Sequence, residues 1–335
     1  IVSRTKLIYV RLLSKENMKT IKTTVYILLS IVIFSCSKND SSDLSNCFSD
    51  QTLDASRGSC NISLPLTNQY QESISANTRT ITSNSIPNHK VGLFGKIQGA
   101  LNPNAIKEQT ETYEISVSPS ESSEFTPLLL TSGSGSNVGP QYAFGILLNG
   151  IELDPVAAEP FPHEGMMNPN VNWKWNLEAL NVNLGLDCNS AHVQPTGKYH
   201  YHGSPVLYLQ NLNVTSNKMT HIGYAADGFP IYYKYAYEIA LDSSSSLIEM
   251  TSSYQLKSGN RGGDGETAPC DVYNGVYSND YQYINTLGSL DEANGRNGVT
   301  PEYPKGTYYY IITEDFPSIP RYFRGTPSDD FKIGN

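Results

Sequence analysis

The stretch Tyr199-His200-Tyr201-His202 concentrates the residues of this chain best suited to chemistry. In a strand, successive side chains point to opposite faces. His200 and His202 therefore share one face, and Tyr199 and Tyr201 share the other. Residues two apart stand ~6.5–7 Å apart along a strand, a span from which two imidazoles can converge on one ion at ~2.0 Å. His192 lies upstream, and Pro195 and Gly197 between them permit a turn that returns it to the same face. Three neutral imidazoles suit copper or zinc better than calcium or magnesium. Copper is favoured over zinc here, with Tyr199 and Tyr201 close by to orient the ligands or pass electrons. The alternative is a buried His–Tyr hydrogen-bond network that holds no ion.

Other groups carry weaker signals. Asp227-Gly228-Phe229-Pro230 reads as a tight turn. Its carboxylate is a second-tier candidate, as a further ligand or as support for a histidine. His89 follows Ile86-Pro87-Asn88, where a proline-stiffened loop can present a ligand, and it joins the second tier. His163 and His221 alone read as surface or satisfied histidines. Asp291-Glu292-Ala293-Asn294-Gly295 gathers oxygen ligands, but not at helix-loop-helix calcium spacing, so calcium is the less favoured ion. The glycine-rich segment 259–265 lacks the Lys-Ser or Lys-Thr of a phosphate loop. No serine sits in Gly-x-Ser-x-Gly. No catalytic residue and no organic cofactor can be assigned from the letters.

The elements that must position these groups read as β structure. The chain has 335 residues, 23 of them tyrosine against two tryptophans, with 26 Gly and 19 Pro as punctuation. Tyrosine favours strands, and Gly and Pro mark their ends. Strand signals occur at 112–117, 144–148, 222–226, 231–235 and 307–313, and more loosely at 206–214. Residues 173–181 (WKWNLEALN) predict a short helix, with Trp173, Leu177 and Leu180 at helical spacing. The expectation is a mostly-β, sandwich-like single domain over residues 62–335, with long loops and one or two short helices.

Ahead of it, Lys19 and Lys22 precede an apolar run from Val25 to Phe34, too short to span a bilayer comfortably. This is the pattern of a signal peptide over residues 18–35. Residues 1–17 read as an over-extended start. Ser35-Cys36 resembles a bacterial lipobox, which makes Cys36 the lipidated residue. Residues 36–61 read as a flexible tether. The acidic start of that tether points to an outer-membrane lipoprotein exposed on the cell surface, with the periplasmic face as the alternative. Removing residues 1–35 takes away six bases and one acid, so the formal charge falls from −9 to −14. So acidic a chain disfavours nucleic acid. Cys47, Cys60, Cys188 and Cys270 form an even set for an oxidising compartment. The preferred pairing is Cys47 with Cys60 and Cys188 with Cys270.

Seven blocks carry a family resemblance: IPNHKVG (86–92), NPNAI (102–106), FGILLNGIELDP (144–155), NSAHVQPTGKYHYHGSP (189–205), GYAADGFPIYY (223–233), LDEANGRNGVTPEYPKGTYYY (290–310) and PRYFRGTP (320–327). In this order they resemble the YHYH family over about residues 65–330. The resemblance implies one continuous domain. It carries the family's motif histidines onto His192, His200 and His202, and its Asp-Gly turn onto Asp227; His89 falls inside a matching block. Family members carry cysteines where this chain has Ala293 and Tyr322, which implies a disulfide elsewhere and structural positions here. Three functions remain open. The first is metal handling or redox chemistry at the histidines. The second is a surface module for glycan or protein that uses exposed tyrosines. The third is a metal-assisted hydrolase with Asp227 as its acid. A small-molecule partner is unspecified.

Overall fold

The computed structural model describes residues 51–133, 138–164 and 170–333. The expected signal peptide, Cys36 and Cys47 lie outside them. Among the described residues no helix is long and apolar enough to cross a membrane. Residues 47–335 make one compact unit.

The chain is mostly β. A three-stranded antiparallel sheet forms first from β1 (Tyr70–Ser75), β2 (Thr78–Ser83) and β3 (Glu111–Ser116). Next come β4 (Gly145–Leu147) and β5 (Glu152–Leu153), joined through the turn at Asn149-Gly150. A small pair follows, β6 (Pro160–Phe161) with β7 (Asn172–Asn176). The histidine hairpin is β8 (Ala191–Val193) and β9 (Tyr199–Tyr201). After the helix α1 (Val206–Asn211) come β10 (Thr220–Ala225), β11 (Pro230–Tyr233), β12 (Gly295–Gly298) and β13 (Thr307–Ile312). Eight strands form one mixed sheet in the order β8-β9-β5-β4-β10-β11-β13-β12. Only β9–β5 and β11–β13 run parallel.

The two layers are unequal. Ile81, Tyr113 and Ile115 of the small sheet bury into the same core as Ile146, Leu153, Ile222 and Ile231 of the large one. The Arg79 guanidinium lies over the Tyr224 ring at 3.7 Å, and Ser83 Oγ donates to the Gly150 carbonyl at 2.7 Å. These contacts fasten the small sheet to the β4–β10 part of the large one.

Four expectations are corrected. Residues 173–181 are not a helix. Trp173 and Trp175 are buried while Lys174 between them is exposed, so the strand period governs 172–176 and β7 results. The loose alternation at 206–214 is instead a helix at Val206–Asn211. Tyr208 and Leu209 are buried, and Leu212 packs one turn on. Pro205 lies at its start and its carbonyl accepts the Leu209 N–H at 3.0 Å. The preferred cysteine pairing also fails, because Cys60 bonds to Cys188. Cys270 is disulfide-bonded too, but not to Cys188. Finally, the second half of the presumed tether is docked. Asp54 N–H donates to Asn181 O and Gly58 N–H to Leu186 O, each at 2.8 Å, and Arg57 Nη2 donates to Leu180 O at 2.7 Å. Proximity along the chain was the wrong guide to pairing: this strap runs beside residues 180–188 and delivers Cys60 to Cys188.

Candidate metal centre

The hairpin register sets His192 directly opposite His200. The turn between them closes with Gly197 N–H donating to Gln194 O at 2.8 Å. Gly197 has φ +98°, a backbone state that L side chains rarely adopt. One residue past β9, His202 N–H donates to Ser190 O at 2.8 Å, which keeps the chain extended along β8. Alternation then aims His200 and His202 at the same side as His192.

The three rings form a nearly regular triangle, with centroids 4.8 Å apart for each pair. Their planes are inclined at 65° to 82°, like propeller blades. The His202 Nε2 lies 3.0 Å from His200 Nε2 and 3.1 Å from His192 Nε2. Three nitrogens bound to one ion at ~2.0–2.1 Å stand ~3.3–3.5 Å apart, so small ring movements would admit an ion. His192, His200 and His202 are the one such His/Cys/Asp/Glu group among the described residues. His192 Nδ1–H donates to the Leu184 carbonyl at 2.9 Å, which leaves the Nε2 lone pair facing its neighbours. His202 Nδ1 is buried with no partner in good geometry, although the Pro155 carbonyl is close enough to favour its charged form slightly.

Electrostatics keep the rings neutral. Burial, and after it the neighbouring His192, push His200 and His202 well below the usual imidazole value. Burial also lowers His192. Neutral imidazole is the form that ligates metal. A cleft of about 340 Å³ has Leu180, Ser190 and Ser204 in its wall, but none of the three histidines lines it.

The other predicted residues fall elsewhere. Tyr199 and Tyr201 are fully buried on the opposite face of β9. Tyr199 OH donates to Asp187 Oδ2 at 2.9 Å, and Tyr201 OH bonds to Asn149 Nδ2 at 2.9 Å and His89 Nε2 at 2.6 Å. They therefore do not hold the imidazoles; they lock the strand from behind. His89 belongs to that rear network and not to the triad. Asp227 is also apart. Its Oδ2 accepts Tyr310 OH at 2.5 Å and Gly325 N–H at 2.8 Å, and Oδ1 accepts Phe229 N–H at 3.3 Å. Burial raises its carboxyl from 3.8 to about 6. Asp291 is committed to a turn, accepting the Ala293 and Gly295 N–H groups and Tyr308 OH, each at 3.0 Å. His163 bonds to Tyr277 OH and His221 to the Gly223 carbonyl.

Several groups on the imidazole face were missed in the sequence. Lys198 precedes His200 by two and shares its face. Its Nζ pairs with Glu152 Oε1 at 2.9 Å, and Tyr113 OH donates to the same oxygen at 3.0 Å. Asp154 is buried, and burial together with Glu152 raises its carboxyl to about 8. Strand period alone could have found Lys198. Glu152 and Asp154 needed the parallel pairing of β5 with β9.

A family model described as YHYH protein matches residues 112–325. The chain belongs to the YHYH family. The matched span contains the whole histidine hairpin of this YHYH chain, while His89 lies upstream of it. No curated protein and no solved structure matches the chain significantly. At the two positions where family members were expected to carry cysteines, Ala293 is fully buried and Tyr322 packs against the same core cluster.

Proposed function

We propose that this YHYH chain is an exported metal-binding protein whose ion is held by His192, His200 and His202, with copper favoured over zinc. The observation that carries the reading is the convergence of three neutral Nε2 atoms from one hairpin. An all-imidazole set suits either ion, and copper binds more tightly to a given nitrogen site. A tether lipidated at Cys36 on the outer membrane would place the centre outside the cytoplasm, where the Cys60–Cys188 disulfide is stable. The role is metal handling or metal-centred chemistry. The glycan- or protein-binding alternative would have to use half-exposed tyrosines such as Tyr235, Tyr283 and Tyr303, because Tyr199 and Tyr201 are buried.

Metal analysis of the purified chain tests the reading. Wild type loaded with copper or zinc and then desalted is expected to hold one ion per chain. The His200→Ala/His202→Ala variant is expected to hold almost none. Equal, sub-stoichiometric metal in both proteins would sink the proposal.

A further inference from the structure

Asp154 lies one step beyond β5. Its backbone N–H donates to Tyr201 O at 2.9 Å, which continues the parallel ladder in which Glu152 stands beside His200. Alternation puts Asp154 on the face of Glu152, which is the imidazole face. On the far side of β9, Gln194 N–H donates to Lys198 O at 2.9 Å, which sets Gln194 on that face as well. In the sheet β9 runs between β8 and β5. Yet Gln194 Nε2 and Asp154 Oδ2 meet at 3.4 Å. Their side chains therefore cross above β9, and His200 is the β9 residue between them. The other oxygen, Asp154 Oδ1, is buried with no partner in good geometry, although the Val156 N–H is close enough to favour the ionised form, in a residue only 6 % exposed. A buried carboxylate oxygen without a hydrogen bond is costly unless something donates to it.

The triad supplies three ligands and no fourth. A catalytic three-histidine centre keeps its remaining position for water or substrate. Were an ion held by the three imidazoles, a ligand added to it would meet the side chains of this face, Asp154 and Gln194 among them. Asp154 does not complete the ligand cluster itself, but it shares the face of the sheet from which the triad rises.

We propose that Asp154 faces the open coordination position of this centre and accepts a hydrogen bond from a protic oxygen ligand bound there, water in the resting state and a hydroxyl-bearing compound in use. The inference rests on the metal reading above. An ion at the triad favours the ionised carboxylate, which accepts and does not donate. Asp154 is thus a positioning residue for the ligand, steadied by Gln194. A centre built only to store an ion has no need of such a group; a centre that binds and orients an exchangeable ligand does.

Cobalt(II) loading with two probes tests this. Acetohydroxamate binds a metal through oxygen and carries a proton to donate; azide binds a metal and has none. Both are titrated against cobalt-loaded full-length wild type, Asp154→Ala and Asp154→Asn, with the visible cobalt bands as the readout. All three proteins are expected to take up one cobalt. Acetohydroxamate affinity is expected to fall about tenfold in Asp154→Ala, the scale of one hydrogen bond to a charged group. It is expected to fall less in Asp154→Asn, which keeps an acceptor, while azide affinity stays near wild type in both. Unchanged hydroxamate binding in both variants, or parallel loss of both probes, would overturn the assignment of Asp154. Should Asp154→Ala not fold, the selectivity of Asp154→Asn for one probe over the other decides alone. Absence of cobalt bands in wild type would instead overturn the metal reading itself.

Discussion

His89 and the triad histidines are all partly or wholly buried, but their surroundings give them different work. His192, His200 and His202 face one another through their Nε2 atoms, whereas His89 spends Nε2 on Tyr201 OH and Nδ1 on the Lys90 carbonyl. His89→Ala is therefore expected to leave metal stoichiometry unchanged and to lower stability by about 1–2 kcal/mol, the cost of an unmet hydrogen bond at a buried tyrosine. Metal analysis and denaturant unfolding of the same sample check both halves. Residue types and spacing made the triad legible: His-x-His demands one face in a strand, and Pro195 and Gly197 announced the turn. The roles of Tyr199, Tyr201 and Asp227 were not legible. A tyrosine's place in a strand says which face it occupies, not which partner waits there.

At the scale of elements, the β10–β11 hairpin shows how a buried carboxylate is used for architecture. Asp227 ties the turn to Tyr310 on β13 and to the Gly325 backbone. Its folded value of about 6 lies above the unfolded one near 4. Between those values the folded chain keeps a proton that the unfolded chain has released. This carboxyl's contribution to stability is therefore fully present below about pH 4 and is lost as pH rises to about 6. Asp227→Asn cannot titrate. The stability of wild type relative to that variant is expected to decrease between pH 4 and pH 6 and to level off above, as measured by denaturant unfolding of the metal-free proteins. The strands flanking this turn were readable from their apolar and β-branched runs. The two misread elements share one physical cause. In 173–181 and 206–214 the apolar residues fit more than one period, and only the packed partner decides which period is used.

At the scale of the whole molecule, the Cys60–Cys188 bond closes a separation of 128 residues. In the chain-entropy account a loop of that size contributes up to about 5 kcal/mol. The Cys60→Ser/Cys188→Ser variant is expected to lose several kcal/mol in non-reducing denaturation. Its metal affinity should fall as well, because Cys188 lies between the Leu184 carbonyl that orients His192 and the Ser190 carbonyl that holds His202. The mostly-β class was visible in composition, since tyrosines, glycines and prolines in these numbers build strands and turns. The order of eight strands, two of the pairings parallel, was not, because it depends on contacts between segments up to 80 residues apart.

With lipid at Cys36, the docked strap would shorten the free part of the tether. Were residues 36–61 wholly free, a lipid at Cys36 would leave the domain a wide radius of travel. The strap is already fastened at Asp54, and 18 residues separate that point from Cys36. Fully extended, such a length reaches no more than about 65 Å. With lipid at Cys36, the imidazole face would patrol only a thin layer over its membrane. Its natural exchange partners would then be diffusing small molecules or other proteins anchored in that same layer.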